Sequence, residues 1–114
     1  MYDRNNVFAK IVRGELPCKK VGESEHALAF DNIDPKADIH LLVVPKGEYE
    51  NVADFIANAS VAEQTDFWNL ALETATTANI KDGFRLVANT GKSAGQSVPH
   101  FHIHLMSGNL PFSD

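Results

Sequence analysis

Three of the five histidines in this 114-residue chain fall within five positions: His100, His102 and His104. The residues between and after them are apolar: Phe101, Ile103 and Leu105. In a β-strand, successive side chains point to opposite faces, so alternate positions share one face at a spacing of about 7 Å. The pattern therefore predicts a strand with an imidazole face on one side and a core-packing face on the other.

Two kinds of chemistry suit such an imidazole face. Three imidazoles can ligate a catalytic metal ion that keeps an open coordination position. Alternatively, one neutral imidazole acts as a nucleophile or as a general acid and base, because its ordinary pKa is about 6.5. Alternate strand positions usually bring only two of three side chains to one ion. The spacing therefore weighs against a metal site without excluding it.

The loop directly before the histidines, residues 89–97, is rich in glycine, serine and other small polar residues. Glycines allow backbone N–H groups to turn toward an anion, and serine and glutamine side chains add further donors. A phosphate group would sit beside the imidazole face in such a loop. The plainer interpretation is a flexible surface connection without a ligand.

The rest of the chain supplies elements that position this segment. A serine-to-glutamate capping box at Ser60 and Glu63 begins a long helix with apolar residues at helical spacing, predicted from Val61 to about Asn79. A short helix is predicted over residues 8–12, and residues 46–58 are expected to be irregular or partly helical. Strands are predicted at 19–23, 27–30, 40–44, 84–88 and 98–106. This order indicates an α+β domain with a mainly antiparallel sheet.

Composition excludes several classes of protein. A single cysteine, Cys18, excludes an intrachain disulfide and a zinc site built on two or more cysteines. The net charge of −5 and the lack of a basic patch argue against binding a nucleic acid polymer. No apolar stretch approaches the ~18 residues of a membrane span, and the charged N-terminus is unlike a secretory signal. We expect one domain over residues 1–114, in the cytoplasm and without a membrane partner.

Several segments together resemble the histidine triad (HIT) family. The sequence HFHIHLM at residues 100–106 resembles its H-φ-H-φ-H-φ-φ motif, where φ is apolar, and GQSV at 95–98 resembles its Hint branch, the nucleoside phosphoramidate hydrolases. The segments FAKIVRGELP at 8–17, AFDNI at 29–33 and HLLVVPK at 40–46 are also similar to family stretches. The resemblance covers nearly the whole chain.

The resemblance implies a HIT-like α+β fold, with a five-stranded mainly antiparallel sheet, one long helix and a short N-terminal helix. It implies a homodimer whose sheets join into one of ten strands. The implied activity is hydrolysis of the P–N bond of purine nucleoside 5′-phosphoramidates, through a covalent nucleotidyl-histidine and without a metal or other cofactor. A purine nucleoside monophosphate would bind in the same site.

The resemblance also assigns roles to residues. His102 would be the nucleophile, with one ring nitrogen held by a carbonyl group, and the supporting histidines would be His100, His104 and His40. Asn89, Gln96 and Ser97, with Gly95 of the same motif, would hold the phosphate. Phe8 and Ile33 would flank the base, and Asn32 would meet the ribose hydroxyls.

Three departures from the family pattern bear on these expectations. The Hint branch usually has aspartate where Asn32 stands, whereas asparagine occurs in the dinucleoside polyphosphate hydrolases, which makes that activity an alternative. Residues 6–9 replace the C-x-x-C that binds structural zinc in some members, so zinc is not expected. The C-terminus lacks the tryptophan that shapes specificity in some relatives, and Phe112 is the candidate replacement. A further alternative is a nucleotide-binding regulatory or scaffold protein with incidental hydrolysis.

Overall fold

A computed structural model describes residues 1–78, 80 and 82–110. Its α-helices are α1 at Val7–Val12, α2 at Val52–Asn58 and α3 at Val61–Thr77. Its strands are β1 at Lys20–Glu23, β2 at Ala27–Asp31, β3 at Ile39–Pro45, β4 at Arg85–Val87 and β5 at Ile103–Ser107. The expected helix end at Asn79, and Phe112, lie outside the described residues.

Side-chain caps explain where the helices begin. The predicted capping box of α3 is confirmed, since Ser60 accepts from the backbone N–H of Glu63 and Glu63 accepts from that of Ser60. Asn6 caps α1 in the same manner, by accepting from the N–H of Ala9 at 2.9 Å. These bonds satisfy backbone donors that the first helical turn leaves without partners.

The five strands form one antiparallel sheet in the order β1-β2-β3-β5-β4. Because β3 and β5 are adjacent, residues far apart in sequence become neighbours, and Leu42 pairs with His104. This architecture confirms the predicted fold class.

Each face of the sheet carries its own apolar core. The face under α3 packs mainly aromatic and branched side chains: Leu41, Val43, Phe55, Phe67, Leu70, Phe101, Ile103 and Leu105. The face under α1 packs a smaller cluster: Phe8, Leu28, Phe30, Leu42 and Val44. The smaller core leaves room beside α1, and the histidines lie there.

The last strand is shorter than predicted, because β5 begins at Ile103 and not at residue 98. Pro99 lacks a backbone donor, and the N–H of Phe101 bonds to the carbonyl of Tyr49 at 2.7 Å instead of joining a strand ladder. His100 and His102 therefore precede the strand. The alternation of faces survives in the extended backbone, since Phe101 packs in the same core as Ile103.

Within the described part of the chain, no helix is both long enough and apolar enough to cross a bilayer.

Replacing Phe67 tests the larger core. Phe67 is fully buried, and its ring centroid lies 5.1 Å from those of Phe55 and Phe101. We expect Phe67→Ala to lower the free energy of unfolding by about 3–5 kcal/mol, through lost burial and a residual cavity. Urea denaturation measures the change. Ile56→Ala, at a position that is 62% exposed on α2, is the matched control and should shift stability by less than about 0.5 kcal/mol. Equal effects of the two substitutions would contradict this packing.

Candidate active site

A cavity of about 530 Å³ lies between α1 and the sheet. Its polar end contains His40, His102, His104 and Ser97. Its apolar wall is formed by Val7, Phe8, Ile11, Leu16, Pro17, Cys18, Phe30, Ile33, Leu42 and Val98. One end therefore suits a planar apolar group, and the other offers imidazoles and a hydroxyl.

The His100 side chain is almost fully buried, and both of its ring nitrogens take part in hydrogen bonds. Its Nε2 lies 2.8 Å from the carbonyl of Pro45, and its Nδ1 lies 2.5 Å from the hydroxyl of Tyr2. A carbonyl only accepts, so the single proton of the neutral ring is on Nε2. Nδ1 is then the acceptor for Tyr2.

His102 is held by the chain's own backbone. Its Nδ1 donates to the carbonyl of His100 at 2.7 Å, which places the proton on Nδ1 and leaves a lone pair on Nε2. The ring of Phe8 packs edge-on against it, with centroids 4.8 Å apart. Among the described residues, Nε2 has no hydrogen-bond partner, and the side chain lines the cavity. His102 thus presents an unprotonated nitrogen to any ligand there.

His40 and His104 form a directed pair. The backbone N–H of Lys36 donates to Nδ1 of His40 at 2.9 Å, so the proton of neutral His40 is on Nε2. That Nε2 lies 2.9 Å from Nδ1 of His104 and donates to it. The proton of His104 is then on its own Nε2. His104 therefore offers an N–H donor beside the lone pair of His102.

Burial lowers the pKa of each of these four histidines. Desolvation is the largest cause in every case, and it brings the pKa of His100 and of His104 to about 4. The pKa of His102 is lowered by burial although the bond to the His100 carbonyl opposes the shift. Burial and the charge of Lys36 lower the pKa of His40. All four rings are consequently neutral at pH 7, as the hydrogen bonds require.

Asn32 lines the cavity, and its side-chain oxygen already accepts one hydrogen bond. Oδ1 accepts from the N–H of Asp34 at 2.9 Å, and Nδ2 lies 3.2 Å from Nε2 of His40. Because that Nε2 carries a proton, two donors face each other and this contact is not a hydrogen bond. A carboxylate at this position would accept hydrogen bonds from both the N–H of Asp34 and the Nε2–H of His40. Asparagine thus leaves one close contact unfavourable, although Oδ1 keeps a second lone pair as an acceptor beside its bond to Asp34.

Gln96 is a structural residue of the loop. Its Oε1 accepts from the N–H of Gly91 at 2.9 Å, and its Nε2 donates to the carbonyls of Glu50 and Val98 at 2.6 and 2.9 Å. These three bonds use both ends of the amide. Gly95 ends a 3₁₀ turn at φ +82, a conformation that favours glycine. Neither residue lines the histidine cavity, so the loop reaches it through Ser97 alone.

The remaining expected site residues lie around the histidines. Phe8 and Ile33 line the apolar end of the cavity, and Ile33 is almost fully exposed. Asn89 lies on the other side of His104, in an adjoining cavity of about 350 Å³ that also contains Lys36 and His40. Asn89 is therefore within the histidine region but does not line the cavity that contains His102.

The structure includes two contributions that sequence patterns did not identify. Tyr2 bonds to His100, and its position in the chain belongs to no periodic element or motif that would indicate this. Leu16, Pro17 and Cys18 join the cavity wall. Their placement depends on how the segment after α1 folds back along the sheet.

Metal binding has no evident site among the described residues, where no group of three or more His, Cys, Asp or Glu side chains is arranged to hold an ion. Both ring nitrogens of His100 and of His40 take part in hydrogen bonds, which leaves Nε2 of His102 and Nε2 of His104 available to a ligand.

Comparison with known proteins agrees with this geometry. The family model described as "HIT domain" matches residues 13–110, which include the whole sheet and all four histidines of the site. The chain belongs to the HIT domain family. This membership identifies the buried imidazoles as the histidine triad together with a histidine from the adjacent strand.

Individual HIT relatives match over nearly their whole length. An uncharacterised 13.2 kDa HIT-like protein of Azospirillum brasilense is 51% identical over 108 residues, covering 94% of this chain and 88% of the relative. A HIT family hydrolase from Clostridium thermocellum has a TM-score of 0.86 at 35% identity, covering 98% and 97% of the two chains. A histidine triad protein from Clostridium difficile has a TM-score of 0.78 at 34% identity, over the full length of both.

The buried neutral histidines of this HIT domain predict a pH-dependent stability. In the unfolded chain they bind protons near pH 6.5, whereas His100 and His104 in the folded chain do so only near pH 4. The unfolded state therefore binds more protons between these values, and stability falls as pH decreases through this window. We expect unfolding free energy to drop by about 2 kcal/mol or more from pH 7.5 to pH 5.

Urea denaturation at both pH values measures this change. Carboxylates contribute less in this range, because most of them are still ionised at pH 5 in the folded and in the unfolded chain. Equal stability at pH 7.5 and pH 5 would contradict the neutral, desolvated state of the cluster.

Proposed function

We propose that this HIT protein is a nucleoside phosphoramidate hydrolase of the Hint branch, with His102 as its nucleophile. The observation that carries the proposal is the single tautomer of His102. Its Nδ1–H is bound by the His100 carbonyl, and its Nε2 lone pair is directed into the cavity. A lone pair held in one orientation is the requirement for attack on phosphorus.

The reaction proceeds in two displacements. In the first, Nε2 of His102 bonds to the α-phosphorus, the P–N bond breaks, and the amine leaves with a proton. The Nε2–H of His104 and the hydroxyl of Ser97 are the proton donors beside this position. In the second, water attacks phosphorus, the bond to His102 breaks, and the proton of water restores the donor. The products are a nucleoside monophosphate and an amine.

The shape of the cavity supports a nucleotide as the ligand. The purine would pack among the apolar side chains near Phe8 and Ile33, and the phosphate would lie at the histidine end. Hydrogen bonds from His104 and Ser97 would stabilise charge on the phosphate oxygens. The backbone carbonyl of Pro45 accepts from the His100 ring, and that of His100 accepts from the His102 ring. These bonds keep both imidazoles oriented without occupying space in the cavity.

Removing the nucleophile tests this proposal. We expect His102→Ala to abolish turnover of a fluorogenic adenosine phosphoramidate, with a loss of at least about 10³-fold in kcat/KM. His26→Ala is the matched control, since that histidine lies in the β1–β2 turn beside Glu25 and outside the site. Mass spectrometry of the wild-type protein quenched with an alkaline denaturant during turnover should find an adenylyl group on His102, since the P–N bond to an imidazole survives base but not acid. Full activity of His102→Ala would contradict the mechanism.

The same preparation distinguishes the alternatives. Faster turnover of a dinucleoside polyphosphate than of the phosphoramidate would favour the hydrolase that Asn32 suggests. Tight AMP binding with negligible turnover of both substrates would favour a regulatory or scaffold role. Each of these results would replace the proposed activity.

We also propose that two copies join through β4. This strand forms the edge of the sheet and pairs only with β5 among the described strands. Unpaired backbone groups at a sheet edge are a template for another strand. Large apolar side chains on β4, before it and on α3 are also exposed: Leu86, Phe84, Trp68 and Leu72. Antiparallel pairing of two β4 strands would give one sheet of ten strands.

Sedimentation equilibrium tests the dimer. The wild-type protein should sediment at twice the 12.5 kDa mass of one chain. Leu86→Glu should weaken association by at least tenfold, because a carboxylate would be buried without a partner (roughly 1.4 kcal/mol or more). Ile56→Glu, at an exposed apolar position on α2, should leave association unchanged. A monomeric wild-type protein would contradict the proposal.

A further inference from the structure

Tyr2 contacts the site from outside the family motifs. Its hydroxyl lies 2.5 Å from Nδ1 of His100, and its ring packs edge-on against that imidazole with centroids 5.7 Å apart. Because Nε2 of His100 carries the only proton of the neutral ring, the hydroxyl is the donor. Burial raises the pKa of Tyr2, so the hydroxyl keeps its proton.

The N-terminal segment is arranged to hold Tyr2 in place. A turn follows it, in which the backbone N–H and the side-chain Nδ2 of Asn6 both donate to the carbonyl of Asp3, at 3.2 and 2.7 Å. Asn6 is itself buried and caps α1. Arg4, within the same turn, pairs with Glu48 at 3.0 Å across the surface. Tyr2 is therefore attached to α1, the helix whose Phe8 packs on His102.

We propose that Tyr2 is a positioning residue for the nucleophile, acting through His100. The proposal rests on the function proposed above for His102. The hydroxyl of Tyr2 and the carbonyl of Pro45 together hold the His100 ring in one orientation and one tautomer. The backbone carbonyl of His100 accepts the Nδ1–H of His102. Tyr2 thereby limits the movement of the residue that orients the nucleophile.

Loss of the hydroxyl alone removes this constraint. In Tyr2→Phe the aromatic ring still covers His100, but Nδ1 of a ring that is 1% exposed has no donor. The ring can then regain a partner only by rotating, by taking the other tautomer or by binding a second proton. Each change disturbs the carbonyl that holds His102. We expect kcat to fall roughly tenfold, with KM within about twofold, because Tyr2 does not line the nucleotide cavity.

The experiment combines kinetics with nitrogen NMR of the full chain. Nitrogen shifts of ¹⁵N-labelled histidines report which ring nitrogen carries the proton. Wild-type His100 should show a single Nε2–H tautomer with a hydrogen-bonded Nδ1, and Tyr2→Phe should show a shifted Nδ1 signal. Tyr49→Phe is the matched control, since it also removes one tyrosine hydroxyl bond, to Glu63 at 2.7 Å, but touches no triad histidine. It should change neither the His100 signals nor kcat.

These outcomes distinguish the positioning role of Tyr2 from the hydrolase function on which it rests. Unchanged His100 signals or an unchanged kcat in Tyr2→Phe would overturn the positioning role, as would equal losses of kcat in Tyr2→Phe and Tyr49→Phe. If the wild-type protein had no hydrolase activity, the proposed function would fail together with the kinetic role of Tyr2. The nitrogen shifts would still establish whether Tyr2 sets the His100 tautomer.

Discussion

The site depends on one constraint, namely that a neutral imidazole has a single proton to donate. Three of the four histidines are buried and His104 is half-buried beside them, and desolvation lowers the pKa of each one, so none holds a second proton at pH 7. Every proton must then have one definite position. The backbone groups of Pro45, His100 and Lys36 determine those positions. Charged imidazoles this close together would repel one another. The neutral rings are instead joined by hydrogen bonds that each have one fixed direction.

This constraint links the sheet to the chemistry. Pairing of β3 with β5 brings His40 within hydrogen-bond distance of His104, and the backbone of Lys36 orients that pair from the connection before β3. The irregular backbone before β5 lets the His100 carbonyl face the ring of His102, two residues later. A regular strand would direct that carbonyl toward a neighbouring strand instead. The shortened β5 is thus part of how the His102 ring is held.

Much of the architecture followed from local patterns. Residue alternation predicted which side chains of residues 100–105 enter the core, because a buried apolar face imposes a period of two on extended backbone. The capping box at Ser60 predicted the beginning of α3 for an equally local reason. The phosphate-binding role expected for Gln96 stays a prediction. In the structure its side-chain amide forms hydrogen bonds with Gly91, Val98 and Glu50, and Glu50 is distant in sequence. No pattern in the loop reveals such a partner.

The sequence by itself determined the family, the α+β sheet and the clustering of histidines on one face, since these depend on motifs and periodicities within short segments. Tertiary structure decided which nitrogen of each histidine carries the proton, because the deciding partners come from other parts of the chain. Tyr2 lies 98 residues from His100, and Pro45 lies 55 residues away. Contacts of that separation form only when the sheet and α1 assemble. The residue types defined the chemistry available, and the assembled fold determined which ring nitrogens are left without a partner among the described residues.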